Sequence, residues 1–215
     1  MAQTLCDKEN TAHAAAAVRA ALDAIAAQEP RMARAIARAG YPEPRIRPRG
    51  HATLLRTIVG QQVSVAAAAS VWNRLESLLG PEVPAESVLA ADCESLRSCG
   101  LSRQKQGYAR SLCELVVSGA LDLNQLPEED EEAIAHLMRI KGIGRWSAEI
   151  YLLFAEGRPD IWPAGDLAVQ AGLHRILGLT ERPTEKEARA LADGWSPHRG
   201  AAALFTWHIH NNPAL

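Results

Sequence analysis

Two glycines, two cations and one acid carry the chemistry this chain could do. Gly142 and Gly144 alternate with Ile143 and lie between Lys141 and Arg145. Asp166 stands 22 residues beyond Gly144, at the end of Pro163-Ala-Gly-Asp166. Glycine at alternate positions permits positive φ and close approach of the backbone to a ligand. A helix that starts directly after such a turn presents N–H groups without helical partners, together with the positive end of its dipole. Lys141 and Arg145 add charge, so a phosphodiester could be held there without its bases being read. A plain helix–helix turn stopped by glycine is the alternative.

Asp166 precedes the helical stretch Leu167 to Leu177. Aspartate is a favoured N-cap, so capping alone would explain it. A second role is compatible with the first. Glycosidic cleavage builds positive charge on the sugar, and a carboxylate fixed nearby stabilises it. Trp146 and Trp207, taken singly, are more often core packing than ligand contact.

These groups need helices on both sides. Ile134, Leu137 and Met138 fall at i, i+3 and i+4, and Trp146, Ile150 and Leu153 at i, i+4 and i+7, so each segment carries one apolar stripe. Glu128 to Glu132 occupy the first turn of the earlier helix, where the dipole favours negative charge. About ten helices are expected. One or two Ala-rich helices cover residues 11–40, and a proline-broken linker follows at Tyr41 to Pro48. Further helices are expected at about 51–59, 62–79, 86–91, 93–98, 102–118, 128–139, from the hairpin to about Glu156, then 167–177, 184–193 and 198–210. Gln61 and Gln62 should head the second of these, and Thr184 to Glu187 reads as a capping box.

Ile140-Lys-Gly-Ile-Gly144 resembles the helix-hairpin-helix motif of the DNA glycosylase superfamily that carries a Gly-Pro-Asp loop. Gly142-Ile-Gly-Arg-Trp-Ser-Ala148 is similar to its alkylated-base branch, the 3-methyladenine DNA glycosylase II type. Gly60-Gln-Gln-Val-Ser-Val-Ala-Ala67, Gly100-Leu-Ser-Arg-Gln-Lys-Gln-Gly-Tyr108 and the stretch from Trp195-Ser-Pro-His-Arg199 to Trp207 resemble that branch in its usual order.

The resemblance implies an all-α protein of two helical lobes with the active site in the cleft between them. N-terminal helices 1–48 would pack with the C-terminal lobe, residues 49–144 would form the central lobe, and 145–215 would carry the acid. It implies Asp166 as the catalytic residue and a base pocket of Trp146, Trp207, Ile150 and Leu167. Lys141, Gly142, Ile143, Gly144 and Arg145 would hold DNA. Gln61 and Gln62 would stand where an extruded nucleotide leaves a gap, with the plugging side chain left open; extrusion is required because the target bond is hidden in the stack. Arg199 would contact the DNA backbone or only solvate a turn. An alkali cation, Na⁺ or K⁺, would sit on the hairpin carbonyls of Met138, Ile140 and Ile143, with no other cofactor required.

The loop and two pocket positions depart from the family's best-known form, while the hairpin residue Trp146 sets the chain apart from lyase-competent relatives. The loop is Pro-Ala-Gly-Asp, one residue longer than Gly-Pro-Asp. Ile150 and Leu167 replace aromatics, which makes the pocket less π-rich. Trp146 stands where lyase-competent relatives have a nucleophilic lysine. Indole cannot form a Schiff base, so hydrolysis to an abasic site is expected, without strand cleavage.

Composition agrees with a folded helical protein, and its overall charge by itself argues weakly against nucleic acid. The chain has 215 residues, is 47% hydrophobic, and carries a net charge of −2. That charge is polarised: seven arginines and one acid lie between Arg31 and Arg56, and seven acids and no base between Glu114 and Glu132. A polarised surface can bind DNA locally while the whole remains acidic. Cys6, Cys93, Cys99 and Cys113 form no C-x-x-C pair, so no iron–sulfur cluster or zinc site is expected, and reduced thiols fit a cytoplasmic protein. His208 and His210 share no helix face and suggest no metal. No apolar run is long enough for a membrane span. Residues 12–27 read as a helix rather than a signal peptide, and the N-terminal β-rich domain of some longer relatives is not expected. A monomer acting on double-stranded DNA with damaged bases is the expectation, associated with the nucleoid if bacterial. A glycosylase for deaminated or oxidised bases, a noncatalytic DNA-binding module, or a scaffold without a DNA role are the alternatives.

Overall fold

The computed structural model describes the backbone of residues 2–212 and the side chains of residues 10–212. Among them are twelve α-helices and no strand. They are α1 (Ala2–Ala26), α2 (Pro30–Ala39), α3 (His51–Gly60), α4 (Val65–Leu79), α5 (Ala85–Ala90), α6 (Cys93–Ser98), α7 (Arg103–Val117), α8 (Asp130–Leu137), α9 (Arg145–Tyr151), α10 (Leu167–Leu177), α11 (Glu185–Ala192) and α12 (Arg199–Asn211). A π-helical turn, Leu152–Glu156, continues α9, and a 3-10 turn, Asp193–Trp195, follows α11. No described helix is long and apolar enough to cross a membrane.

The chain divides into two compact units, one of residues 1–46 with 157–215 and the other of residues 47–156. The second unit runs past residue 144, the expected edge of the central lobe, because α9 packs on α3 and α8.

In the first unit the core is built by α1, α2, α10 and α12 around Leu22, Ile25, Met32, Val169, Leu173 and Phe205. Glu29 caps α2 and Pro30 fills its first turn, where the missing N–H costs nothing; this splits the Ala-rich stretch in two. The α10–α12 crossing is close. A Cβ at Gly172 would lie 2.2 Å from the carbonyl oxygen of Thr206. The Thr184 capping box opens α11 as expected.

In the second unit α3, α4, α5, α6, α7 and α9 contribute to a core that holds Leu54, Leu55, Ile58, Leu75, Leu96 and Leu112. Here α4 begins at Val65 rather than 62. Ser64 is its N-cap and accepts the Ala67 N–H at 3.2 Å, and Gln62 sits at φ +55. Gln61 and Gln62 therefore lie in a turn between α3 and α4 and do not head the helix, a correction to the sequence-based assignment. The stripe after the hairpin also changes period: α9 gives way to the π turn at Leu152.

Candidate nucleic-acid interface and active site

In the second unit the hairpin Met138–Gly144 joins α8 to α9. Its two glycines do different work. Gly142 has φ +84, and a Cβ there would lie 2.2 Å from the ring of Tyr108, so conformation and space both demand glycine. Gly144 has ordinary extended backbone and nothing within 4 Å of its would-be Cβ. Open space lies where its Cβ would be. No side chain caps α9, so its first amides depend on a partner beyond the helix.

The charges beside the hairpin are unequal. Lys141 is exposed, and its ammonium has no partner among the described residues; its backbone N–H donates to Ser111 Oγ at 3.2 Å. Arg145 is different. It donates to Glu131 through both terminal nitrogens, one at 2.8 Å, and to the buried Glu149 at 2.9 Å. Hydrogen bonding to Glu131 raises its pKa further above the usual arginine range. Two carboxylates thus offset the charge that Arg145 was expected to lend to a phosphate. Glu131 comes from the acidic first turn of α8, 14 residues upstream.

Gln61 also departs from expectation. Its amide Nε2 donates to the Gly142 carbonyl at 2.8 Å, tying the turn to the hairpin. Gln62, Val63 and Val65 are exposed beside it, Val65 at 89%.

Trp146 is 48% exposed, which excludes the core reading and leaves its indole as surface. Ile150, one turn on, is buried.

Of the carbonyls implied for a cation, that of Ile140 accepts the Ile143 N–H at 3.0 Å, and those of Met138 and Ile143 accept no hydrogen bond among the described residues. Oxygen atoms left without donors on one short hairpin fit an oxygen-ligated cation. No cluster of three or more His, Cys, Asp or Glu suited to a metal occurs among the described residues.

In the first unit Asp166 is the N-cap of α10. Its Oδ1 accepts the Ala168 and Val169 N–H groups at 2.7 and 3.0 Å and the Trp207 indole N–H at 3.4 Å. Three donors on one oxygen fix the direction of a half-buried carboxylate. Trp207, only 7% exposed, is on α12, so two packed helices aim the acid together. The Gln170 amide donates to the Ala164 carbonyl at 2.8 Å and shapes the loop before it. Leu167 is 62% exposed. Arg45 lies over the Trp207 ring, 5.8 Å from its centroid, a neighbour that linear spacing does not reveal.

Arg199 is paired within the protein. Its guanidinium makes two hydrogen bonds to Asp160, at 2.6 and 2.9 Å, and its backbone N–H a third at 3.1 Å. It pins the start of α12 to the loop after Gly157. Tyr108 is the hairpin neighbour that spacing alone missed. Its only signal was an aromatic at the end of the Gly100–Tyr108 block.

A family model described as the HhH-GPD superfamily of base excision DNA repair proteins matches residues 55–197, which include the hairpin, Asp166 and the whole of α3 through α11 but for its first residues. The chain belongs to that superfamily. Within it, the chain is 34% identical to DNA-3-methyladenine glycosylase 1 of Schizosaccharomyces pombe over 158 residues, 72% of this chain and 69% of the relative. The crystal structure of a Bacillus halodurans DNA-3-methyladenine glycosidase superposes with a TM-score of 0.82 at 34% identity, covering 88% of each chain. The Schizosaccharomyces pombe 3-methyladenine DNA glycosylase in complex with abasic DNA superposes with a TM-score of 0.71 at 29% identity, over 84% of this chain and 91% of that one. The all-α architecture is that of the HhH-GPD superfamily.

Proposed function

We propose that this protein is a monofunctional DNA glycosylase that removes alkylated purines of the 3-methyladenine type from duplex DNA and leaves an abasic site. The observation that carries the reading is Asp166: a half-buried carboxylate held by two helix-start amides and the indole of Trp207, in a chain 34% identical to relatives named 3-methyladenine glycosylases.

The chemistry follows from the groups present. The hairpin backbone and Lys141 hold a phosphate without reading bases. The damaged nucleotide leaves the stack, since its bond to the sugar is inaccessible within it. An N3- or N7-alkylated purine carries a positive charge, so its departure as a neutral base needs no added proton. As the C1′–N bond breaks, positive charge moves to the sugar, and the fixed Asp166 carboxylate stabilises it. Water then bonds to C1′ and loses a proton to the surrounding solvent, which completes the C1′ hydroxyl of the abasic site. Trp146 and Trp207 supply π surface for the cationic base. An alkali ion on the Met138, Ile140 and Ile143 carbonyls would add positive charge beside the bound phosphate. With Trp146 in place of a lysine nucleophile, no Schiff base forms and the strand stays intact.

Release of 3-methyladenine, 7-methylguanine and hypoxanthine from duplexes with single lesions tests the reading. Release of the alkylpurines by wild type, and its loss in Asp166→Asn, is the expected result. If wild type releases none of these bases yet shifts DNA in a salt-dependent way, the noncatalytic module is the correct description.

A further inference from the structure

The block Gly100–Tyr108 is part of the motif pattern, yet none of its residues has a role in the reaction just described. Its contacts explain it. Lys105, in the first turn of α7, donates its ammonium to the Val59 carbonyl at 2.8 Å, next to the last residue of α3. Tyr108, one turn on, lays its ring where a Cβ of residue 142 would be, and Gln104 donates to the Tyr108 hydroxyl at 2.5 Å. Ser111, a further turn on, accepts the Lys141 N–H at 3.2 Å. One face of α7 therefore touches both the end of α3, from which the Gly60–Ser64 turn departs, and the hairpin. Gln61 closes the circuit directly by donating to Gly142. All of these residues lie in the second unit.

We infer that Gln61, Lys105 and Tyr108 are positioning residues that lock the Gly60–Ser64 turn and the phosphate-binding hairpin into one rigid template, so that extrusion of the nucleotide and capture of its strand are a single coupled event. This rests on the proposed function in requiring that both loops meet DNA. Two features mark the turn as a surface awaiting a partner. Gln62 is held at φ +55, a conformation that costs a non-glycine residue free energy. Val63 and Val65 expose apolar surface beside it, at 44% and 89%. A turn that fills the gap left by a nucleotide is useful only at a fixed distance from the phosphate grip. A loop free to drift would bind the strand without holding the base out. Burial of the Lys105 ammonium lowers its pKa, as expected for a cation spent inside the protein on one carbonyl.

The test uses the full chain and a duplex carrying a tetrahydrofuran abasic-site analogue with 2-aminopurine beside it. Fluorescence at saturating protein reports unstacking in the bound complex, which a merely structural loss of folded protein would not change. Gln61→Glu is nearly isosteric but sets an acceptor against the Gly142 carbonyl. It is expected to lower the fluorescence gain and the single-turnover excision rate at saturation by about fivefold or more, while wild-type amplitudes are kept by Tyr108→Phe, which retains the ring. Tyr108→Ala, which removes the ring, should behave like Gln61→Glu, and it decides the matter if Gln61→Glu gives no cooperative thermal transition. Fluorescence and rate within twofold of wild type for the folded members of this pair overturn the inference. If wild type excises no lesion but the fluorescence still depends on Gln61 and the Tyr108 ring, the catalytic reading fails and the coupled template stands.

Discussion

Two helix starts, one in each compact unit, are built in opposite ways. At α9 the cap is Gly144, which offers the first-turn amides no side chain. At α10 the cap is Asp166, whose Oδ1 already takes two amides. Both obey the rule that the first amides of a helix need acceptors from outside it. The α9 start has no side-chain cap, and in the proposed function a phosphate meets that need. The α10 start meets it internally and in doing so aims a carboxylate. One backbone device thus serves two proposed ends, and the choice is made by one residue, glycine or aspartate.

The change that should break this contrast most strongly is Asp166→Asn. Asparagine caps as well as aspartate, so folding and affinity for duplex DNA should be kept. Excision should fall by on the order of 10²–10³, the usual cost of losing a preorganised charge at a reacting centre. Single-turnover assays at saturating protein, with thermal melts alongside, measure both. Loss of less than about tenfold would show that the cap is only a cap.

The two hairpin glycines come next. Gly142→Ala forces a Cβ into the Tyr108 ring at a positive φ and should cost about 1–3 kcal/mol or more. Gly144→Ala meets no neighbouring atom and should cost only about 1 kcal/mol, the poorer capping by alanine. Its effect belongs to DNA: duplex affinity should drop several-fold if the strand approaches that bare Cα. Urea unfolding and equilibrium binding separate the two. If Gly144→Ala destabilises the fold as much as Gly142→Ala, the outward role of Gly144 is wrong.

These pairs show what was readable beforehand and what was not. The hairpin, the start of α10 and the Thr184 capping box were legible because each is written in a few adjacent residues whose backbone demands are local. The start of α4 was misplaced because Val63 continues the apolar pattern into a turn, and period alone cannot see Ser64 take over as cap. The charge balance at the hairpin was also hidden. Arg145 looks like a phosphate ligand until Glu131 is folded back onto it. Arg199 likewise pairs with Asp160, 39 residues away. Which side chain pairs with which across the chain is decided by tertiary packing, and spacing carries no record of it.

Lys141 and Arg145 turn that lesson into a measurement. The Lys141 ammonium is exposed, whereas Arg145 is held by two carboxylates. Lys141→Ala should weaken binding to any duplex and reduce the slope of log affinity against log salt by about 1. Arg145→Gln should leave the salt slope nearly unchanged and lower stability instead, because it removes the guanidinium that hydrogen-bonds the buried Glu149. Equal changes in salt slope would show that Arg145 gives up its carboxylates to reach the strand.

Asp160 supplies the control for Asp166, since it too accepts an amide at a helix start, that of Arg199 in α12. The difference is its company. Burial pushes its pKa up, but hydrogen bonds from the Arg199 guanidinium, Ser196 and the Arg199 amide outweigh that, and the net shift is downward. A carboxylate neutralised by a guanidinium has little charge left for a sugar cation, so Asp160 should be structural. A folded-state pKa below the unfolded one contributes stability that is fully present above the unfolded value, near 3.9, and is lost as pH falls through the lowered folded value. Asp160→Asn should therefore be less stable than wild type by about 1–2 kcal/mol at pH 7, with the gap closing as pH is taken below about 4. Its excision rate at saturating protein and neutral pH should match wild type. Urea unfolding at pH 7, 5 and 3 measures the first, and a gap that does not shrink in acid would mean that the bond to Arg199 owes nothing to the charge on Asp160.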